Sequence, residues 1–161
     1  MQDFVHLHVH PQYSILDGQA SIPRLVDKAM ADGMKGIAVT DHGDMFGIKE
    51  FFNYVNKKNS STNSEIKDLK KRIAGLEKGT VECDNPETEL VACKEKLETA
   101  KKKLFKPIFG CEMYVARRRL FNKEGKPDQS GYHLVVRAKN ENGYHNLIKL
   151  VSTAWTEGVY R

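Results

Sequence analysis

Six side chains in this sequence are of types that ligate divalent metals and recur at the edges of apolar runs: His8, His10, Asp17, His42, Glu112 and His133. His8 and His10 stand two apart in an alternating stretch. Val5, Leu7 and Val9 point one way, and the histidines, with His6, the other. On a strand this aims two imidazoles at one point, and neutral imidazole suits Zn, Mn or Fe. A His-x-His pair is equally at home as two exposed strand histidines. Asp17-Gly18 follows, and Asp-Gly is a turn pair as readily as a ligand. Thr40-Asp41-His42-Gly43 closes an apolar run. A charge and a histidine where a strand leaves the core are costly without a purpose; the alternative is an Asp that caps the next helix, beside a surface His. Glu112 interrupts an apolar strand, where it needs a partner such as a metal or else an edge facing water. His133 opens another apolar strand, and a capped core histidine is the competing reading there. Jointly, ligand types at the ends of successive strands form the pattern of a multinuclear metal site assembled across a barrel mouth.

The elements that must position these residues follow from spacing. Residues 3–10 read as a strand and 11–20 as a loop broken by Pro11 and Asp17-Gly18. Ser21 can cap a helix that carries Ile22, Leu25, Val26, Ala29 and Met30, and Gly33 stops it. Residues 36–40 read as a short buried strand, 46–54 as a helix, 106–116 and 132–138 as strands. Asn140 can cap a last helix with Leu147, Ile148 and Val151 on its apolar face. Strands alternating with helices predict an α/β fold with a parallel sheet, whose ligands sit at the carboxyl ends of the strands.

Residues 60–105 break that pattern. Ile66, Leu69, Ile73 and Leu76, then Leu90, Cys93, Leu97, Ala100 and Leu104, recur at spacings of three and four, the seam of a coiled coil. Gly79 ends the first helix; Asn85 and Pro86 start the second. The expectation is an antiparallel helical hairpin inserted between a helix and the strand at 107, a solvated spacer or else an arm that touches a partner or DNA.

The 161 residues suit one domain or part of one. The net charge of +5 does not by itself indicate a nucleic-acid face. Residues 57–106 hold 13 Lys/Arg against 9 Asp/Glu, and the rest of the chain 13 against 12, so the surplus sits in the hairpin. Cys83, Cys93 and Cys111 form neither a disulfide framework nor a Cys-x-x-Cys site. No apolar run approaches the ~18 residues of a membrane span, and the N-terminus has no signal-peptide pattern; a cytoplasmic protein with no membrane partner is expected.

The motifs themselves are similar to a known family. HLHVHPQYSILDG resembles the first motif of the PHP (polymerase and histidinol phosphatase) family, TDHGDMFG the second and KPIFGCEMYVA the third. GYHLVVRAKNENGYHNLIKL resembles the segment that carries the next ligand. The YSILDG tail and the GYHNL helix resemble the branch carried by bacterial replicative DNA polymerases rather than the free-standing phosphatases. The resemblance covers nearly all of the chain outside 57–105. It implies a distorted, TIM-like β/α barrel, here partial, around a trinuclear divalent metal cluster of Zn or Mn. By the resemblance, His8, His10 and Glu112 share one metal, Glu112 reaches a second with His133, and Asp17 and His42 serve a third. His6 stands where the family has Asp, and Pro11 where it has Thr. Three later ligands, including an Asp-x-His pair, are not in the sequence, so 1–161 is expected to be an incomplete N-terminal domain with weakened metal occupancy.

What the resemblance implies for function is the N-terminal module of a replicative polymerase, with possible 3′–5′ exonuclease or other phosphoesterase activity on a DNA end or pyrophosphate. Nucleotide addition belongs to carboxylates outside this chain. DNA, a proofreading exonuclease subunit and a sliding clamp are the implied partners of the whole protein. Two alternatives stand beside this. One is a free-standing phosphatase, for which the run Arg117-Arg118-Arg119 is the sole candidate phosphate pocket, a solvated loop being the favoured reading of that run. The other is a structural module with vestigial ligands that docks a proofreading or other replisome subunit.

Overall fold

The computed structural model describes residues 4–118, 121–122, 124–125 and 131–158. Among these, five helices and three strands follow the order α1 (Ile22–Ala31), β1 (Gly36–His42), α2 (Ile48–Lys58), α3 (Ser60–Glu77), α4 (Pro86–Lys103), β2 (Lys106–Ala116), β3 (Gly131–Arg137) and α5 (Glu141–Thr156). The chain forms two compact units, Met1–Tyr54 with Lys106–Arg161, and Val55–Phe105.

The first unit is built on a sheet of order β1-β2-β3. β1 and β2 are parallel, as α/β alternation predicts, but β3 runs antiparallel to β2. This corrects the all-parallel expectation. No helical spacing lies between β2 and β3, and without a crossover helix the chain can only return beside the strand it left. The sheet is flanked by apolar helix faces. Ile22, Val26 and Ala29 of α1 are buried, and Cys111 of β2 packs with Leu147 and Val151 of α5. The Asn140 side chain accepts the Gly143 N–H at 2.9 Å and caps α5. Ser21 precedes α1 with extended backbone, yet its side chain makes no capping bond.

The N-terminal stretch is not a strand. Ala38 N–H donates to His6 O at 2.9 Å and Thr40 N–H to Val9 O at 3.0 Å. Between these bonds β1 advances two residues and the N-terminal segment three, so the ladder slips and regular pairing fails. The alternation is correspondingly imperfect: Val5 and Val9 are half-buried, while Leu7 is exposed.

The second unit is a pair of helices. Ile73, Leu76 and Cys93 are buried together, with Leu69, Leu90 and Leu97 packed on them. Thr80 N–H donates to Gly75 O at 2.9 Å, which folds the connection back onto the end of α3, so α4 returns along it. Gly79 supplies the left-handed turn residue at φ +66°. At the base, the buried Asn59 amide donates to Phe105 O at 2.8 Å and accepts Phe105 N–H at 3.1 Å, completing both backbone groups of Phe105 with one side chain.

Among the described residues no helix is long and apolar enough to cross a membrane.

Candidate metal centre

Strand register alone gathers half of the site. His42 and Glu112 are Cα partners in the parallel pair, and Tyr114 and His133 are partners in the antiparallel one. Side chains of paired residues share a sheet face, and so do residues two apart on a strand. His42, Glu112, Tyr114 and His133 therefore project together, on the face opposite to Cys111 and Asp41. His8 and His10 are brought in by Thr40, whose hydroxyl oxygen accepts the Val9 N–H at 2.9 Å while its O–H donates to Val9 O at 3.2 Å.

Asp17 arrives through a tight loop. Asp17 and Gly18 N–H groups donate to Ser14 O at 3.0 and 2.8 Å. A Cβ at Gly18 would stand 2.1 Å from Pro11 O, so only glycine lets the turn close there. Leu16, fully exposed, takes the left-handed conformation at φ +76° immediately before Asp17.

The structure brings all six sequence-predicted residues to one place. Glu112 is the hub, buried in the central strand rather than facing water from an edge. Its Oε2 lies 2.5 Å from His10 Nε2, 3.3 Å from His8 Nε2 and 3.4 Å from His42 Nδ1, and its Oε1 lies 2.9 Å from His133 Nδ1. Asp17 Oδ2 lies 3.4 Å from His42 Nδ1. Three overlapping groups could each hold an ion: His8, His10 and Glu112; His10, Asp17 and His42; His42, Glu112 and His133, their donor atoms all within 4.8 Å of one another. Burial pushes the Glu112 carboxyl up, but the hydrogen bond from His8 and the charges of His10, His8 and His133 outweigh it and hold it below the usual carboxylate range.

Two features suit a cation. The His8 and His10 Nε2 atoms face each other at 3.1 Å beside one carboxylate oxygen. His42 Nδ1 is buried without a hydrogen-bond partner among the described residues, although two carboxylate oxygens lie 3.4 Å away. A buried ring nitrogen is seldom left unpaired, and nitrogen and carboxylate lone pairs converging on one point are what a divalent ion requires. The residues present fit a metal.

Asp41, adjacent to His42, does not join the cluster. It points to the other face, where it accepts Ser14 Oγ–H at 3.0 Å and Gly47 N–H at 3.0 Å, fully buried, and burial pushes its carboxyl up to about 6. Ser14 Oγ in turn accepts the His42 N–H at 3.1 Å. His6 is exposed and packs edge-on against Phe4. In the arginine run, Arg117 lies over the Tyr132 ring and Arg118 pairs with Glu124 at 3.1 Å, while Arg119 lies outside the described residues. Sequence reasoning missed Tyr114, whose hydroxyl meets His42 Nε2. Its position two residues beyond Glu112 on a strand was the available signal.

With this geometry in hand, comparison with known proteins is direct. The PHP domain family matches residues 6–161, and the chain belongs to it. Among curated proteins it is similar to DNA polymerase III subunit alpha of Borreliella burgdorferi, 36% identical over 160 residues that make up 98% of this chain and 10% of that protein. The same polypeptide of Treponema pallidum is 36% identical over 158 residues, again 98% of this chain and 10% of the relative. That of Chlamydia muridarum is 32% identical over 158 residues, 98% of this chain and 9% of the relative. The chain thus spans about a tenth of the length of the curated relatives it matches.

Proposed function

We propose that this chain is the metal-binding PHP module of a bacterial replicative DNA polymerase, a partial β/α barrel with residues 60–105 inserted as a helical hairpin. The observation that carries the reading is Glu112, one buried carboxylate approached by His8, His10, His42 and His133. His8, His10, Asp17, His42, Glu112 and His133 would hold a divalent cluster of Zn or Mn, Glu112 belonging to two of the three candidate groups. When bound, such a cluster lowers the pKa of a coordinated water and stabilises charge on a phosphoryl group, the chemistry of phosphoester hydrolysis.

This chain's own residues supply placement. Thr40 fixes the backbone that carries His8 and His10. Ser14 and Asp41 tie the Asp17 loop to β1. Burial of Glu112 strengthens every charge interaction it makes. The substrate in this reading is a DNA 3′ end or pyrophosphate. Polymerisation, DNA, a proofreading exonuclease subunit and the sliding clamp belong to the whole protein, in the cytoplasm.

The test is elemental analysis of the purified chain beside a His8→Ala/His10→Ala double variant. Stoichiometric zinc or manganese in the parent and its loss in the variant supports the reading. A parent that stays metal-free calls for the same assay on the complete domain with its later ligands, and a complete domain that also stays metal-free when dialysed against either ion overturns the reading in favour of a structural module.

A further inference from the structure

We propose that Tyr114 is a positioning residue of the centre: its phenolic oxygen accepts the Nε2–H of His42 and so presents the bare Nδ1 of that ring to the space bounded by Asp17 and Glu112. The inference rests on the metal-binding reading above, but its primary readout does not need the metal.

Three independent contacts place the tyrosine. Register sets it directly opposite His133 and two residues from Glu112. Its ring stands edge-on to both His42 and His133, with centroids 4.9 Å away in each case and interplanar angles of 82° and 89°. Its hydroxyl meets His42 Nε2. Gly43 leaves room for the ring, since a Cβ there would lie 3.3 Å from Tyr114 Cε2. One aromatic side chain thus touches two of the six cluster residues, and the polar end that distinguishes it from phenylalanine is spent on His42.

The tautomer follows from what surrounds the other nitrogen. A neutral imidazole carries one N–H. On Nδ1 that proton would be buried with no acceptor in bonding geometry, because among the described residues the atom has no hydrogen-bond partner. On Nε2 it is accepted by Tyr114. Nδ1 then carries a lone pair into the space that Asp17 Oδ2 and Glu112 Oε2 border, each 3.4 Å away, and three lone-pair donors around one space define a cation position. His42 would ligate through Nδ1, and Tyr114 would decide that it does.

The test uses the full 161-residue chain, ¹⁵N-labelled and stripped with a chelator, at a pH where histidine is neutral. Long-range ¹H–¹⁵N correlation reads the tautomer of each ring. The expected result is Nε2–H for His42 in the parent, and a mixture or Nδ1–H in Tyr114→Phe, which keeps the ring and removes only the hydroxyl. Tyr132→Phe, on the other face of the same hairpin, is the control and should leave His42 unchanged. Zinc competition against a chromophoric chelator should then show about 10- to 100-fold weaker binding for Tyr114→Phe. An unaltered His42 tautomer in Tyr114→Phe, or Nδ1–H in the parent, overturns the proposal. A parent that takes up no zinc sinks the metal reading alone, and the tautomer measurement still decides the role of Tyr114.

Discussion

Glu112 and His133 are offset by two residues across the β2–β3 pair, yet Glu112 Oε1 reaches His133 Nδ1 at 2.9 Å while Oε2 of the same carboxylate serves three other histidines. One side chain therefore joins two of the three ligand groups, whereas Asp17 belongs to one. Glu112→Gln should weaken divalent-ion binding by more than the ~10- to 100-fold expected for an outer-shell contact, with loss of stoichiometry. Asp17→Asn should lose only part of the metal. Equilibrium dialysis of both variants against zinc or manganese measures the difference, and equal losses would contradict the central place given to Glu112.

Asp41 holds the Asp17 loop from behind. Asp41→Ala leaves the Ser14 hydroxyl and the Gly47 N–H without their acceptor in a buried site. Each such group costs about 1–3 kcal/mol. Urea unfolding in chelator should show a loss of about 2 kcal/mol or more, and Ser14→Ala a smaller one.

Leu16 pays backbone strain with nothing in return from burial, being left-handed and fully exposed. The left-handed conformation costs a non-glycine residue roughly 1–2 kcal/mol, and glycine gives back about 0.5–1 kcal/mol in chain entropy. Leu16→Gly should leave stability unchanged or raise it by up to about 1 kcal/mol. A clear loss in thermal unfolding would show that the side chain has a contact of its own.

The cysteines should separate by reactivity. Cys93 and Cys111 are buried, and burial pushes the Cys111 thiol up to about 12. Cys83 is half-buried, and its hydrogen bond to Glu89 raises its pKa, because the thiol donates to an anion. A raised thiol pKa means less thiolate at a given pH, hence slower alkylation. Native protein should be alkylated by iodoacetamide at Cys83 first, and Glu89→Gln should shift that pH–rate curve to lower pH. Faster reaction at Cys93 or Cys111 would contradict the burial described above.

Much of this was legible in the chain because strand periodicity is short-ranged. The apolar run around Glu112 and apolar spacing in α5 sufficed to delimit β2 as Lys106–Ala116 and to find the Asn140 cap. The direction of β3 was not legible from alternation, which is the same for parallel and antiparallel pairing; the missing helix between β2 and β3 was the usable sign. The N-terminal segment looked like a strand because a period of two reports side-chain direction and not pairing, and the one-residue slip between His6 and Val9 leaves no trace in composition. Ending β1 at Thr40 obscured a further point. Once the strand continues to His42, Asp41 and His42 must lie on opposite faces, so one was always destined for packing and the other for the cluster.

Asn59→Ala should destabilise the helical pair by about 1–3 kcal/mol for each Phe105 backbone group it orphans. Asn59→Asp should fall between, since it keeps the acceptor for the N–H and loses the donor to the carbonyl. Denaturant unfolding followed by helical circular dichroism distinguishes the three proteins.

That clasp has a broader meaning. Because a single amide staples the entry of the hairpin to its exit, the separation of those two points does not depend on how many turns lie between them. The hairpin behaves like a drawer with a fixed frame: whole turns can be added to or removed from α3 and α4 in pairs, and the chain still leaves at Phe105 where it entered at Asn59. Length in this segment is thereby free to vary without drawing its own two ends apart.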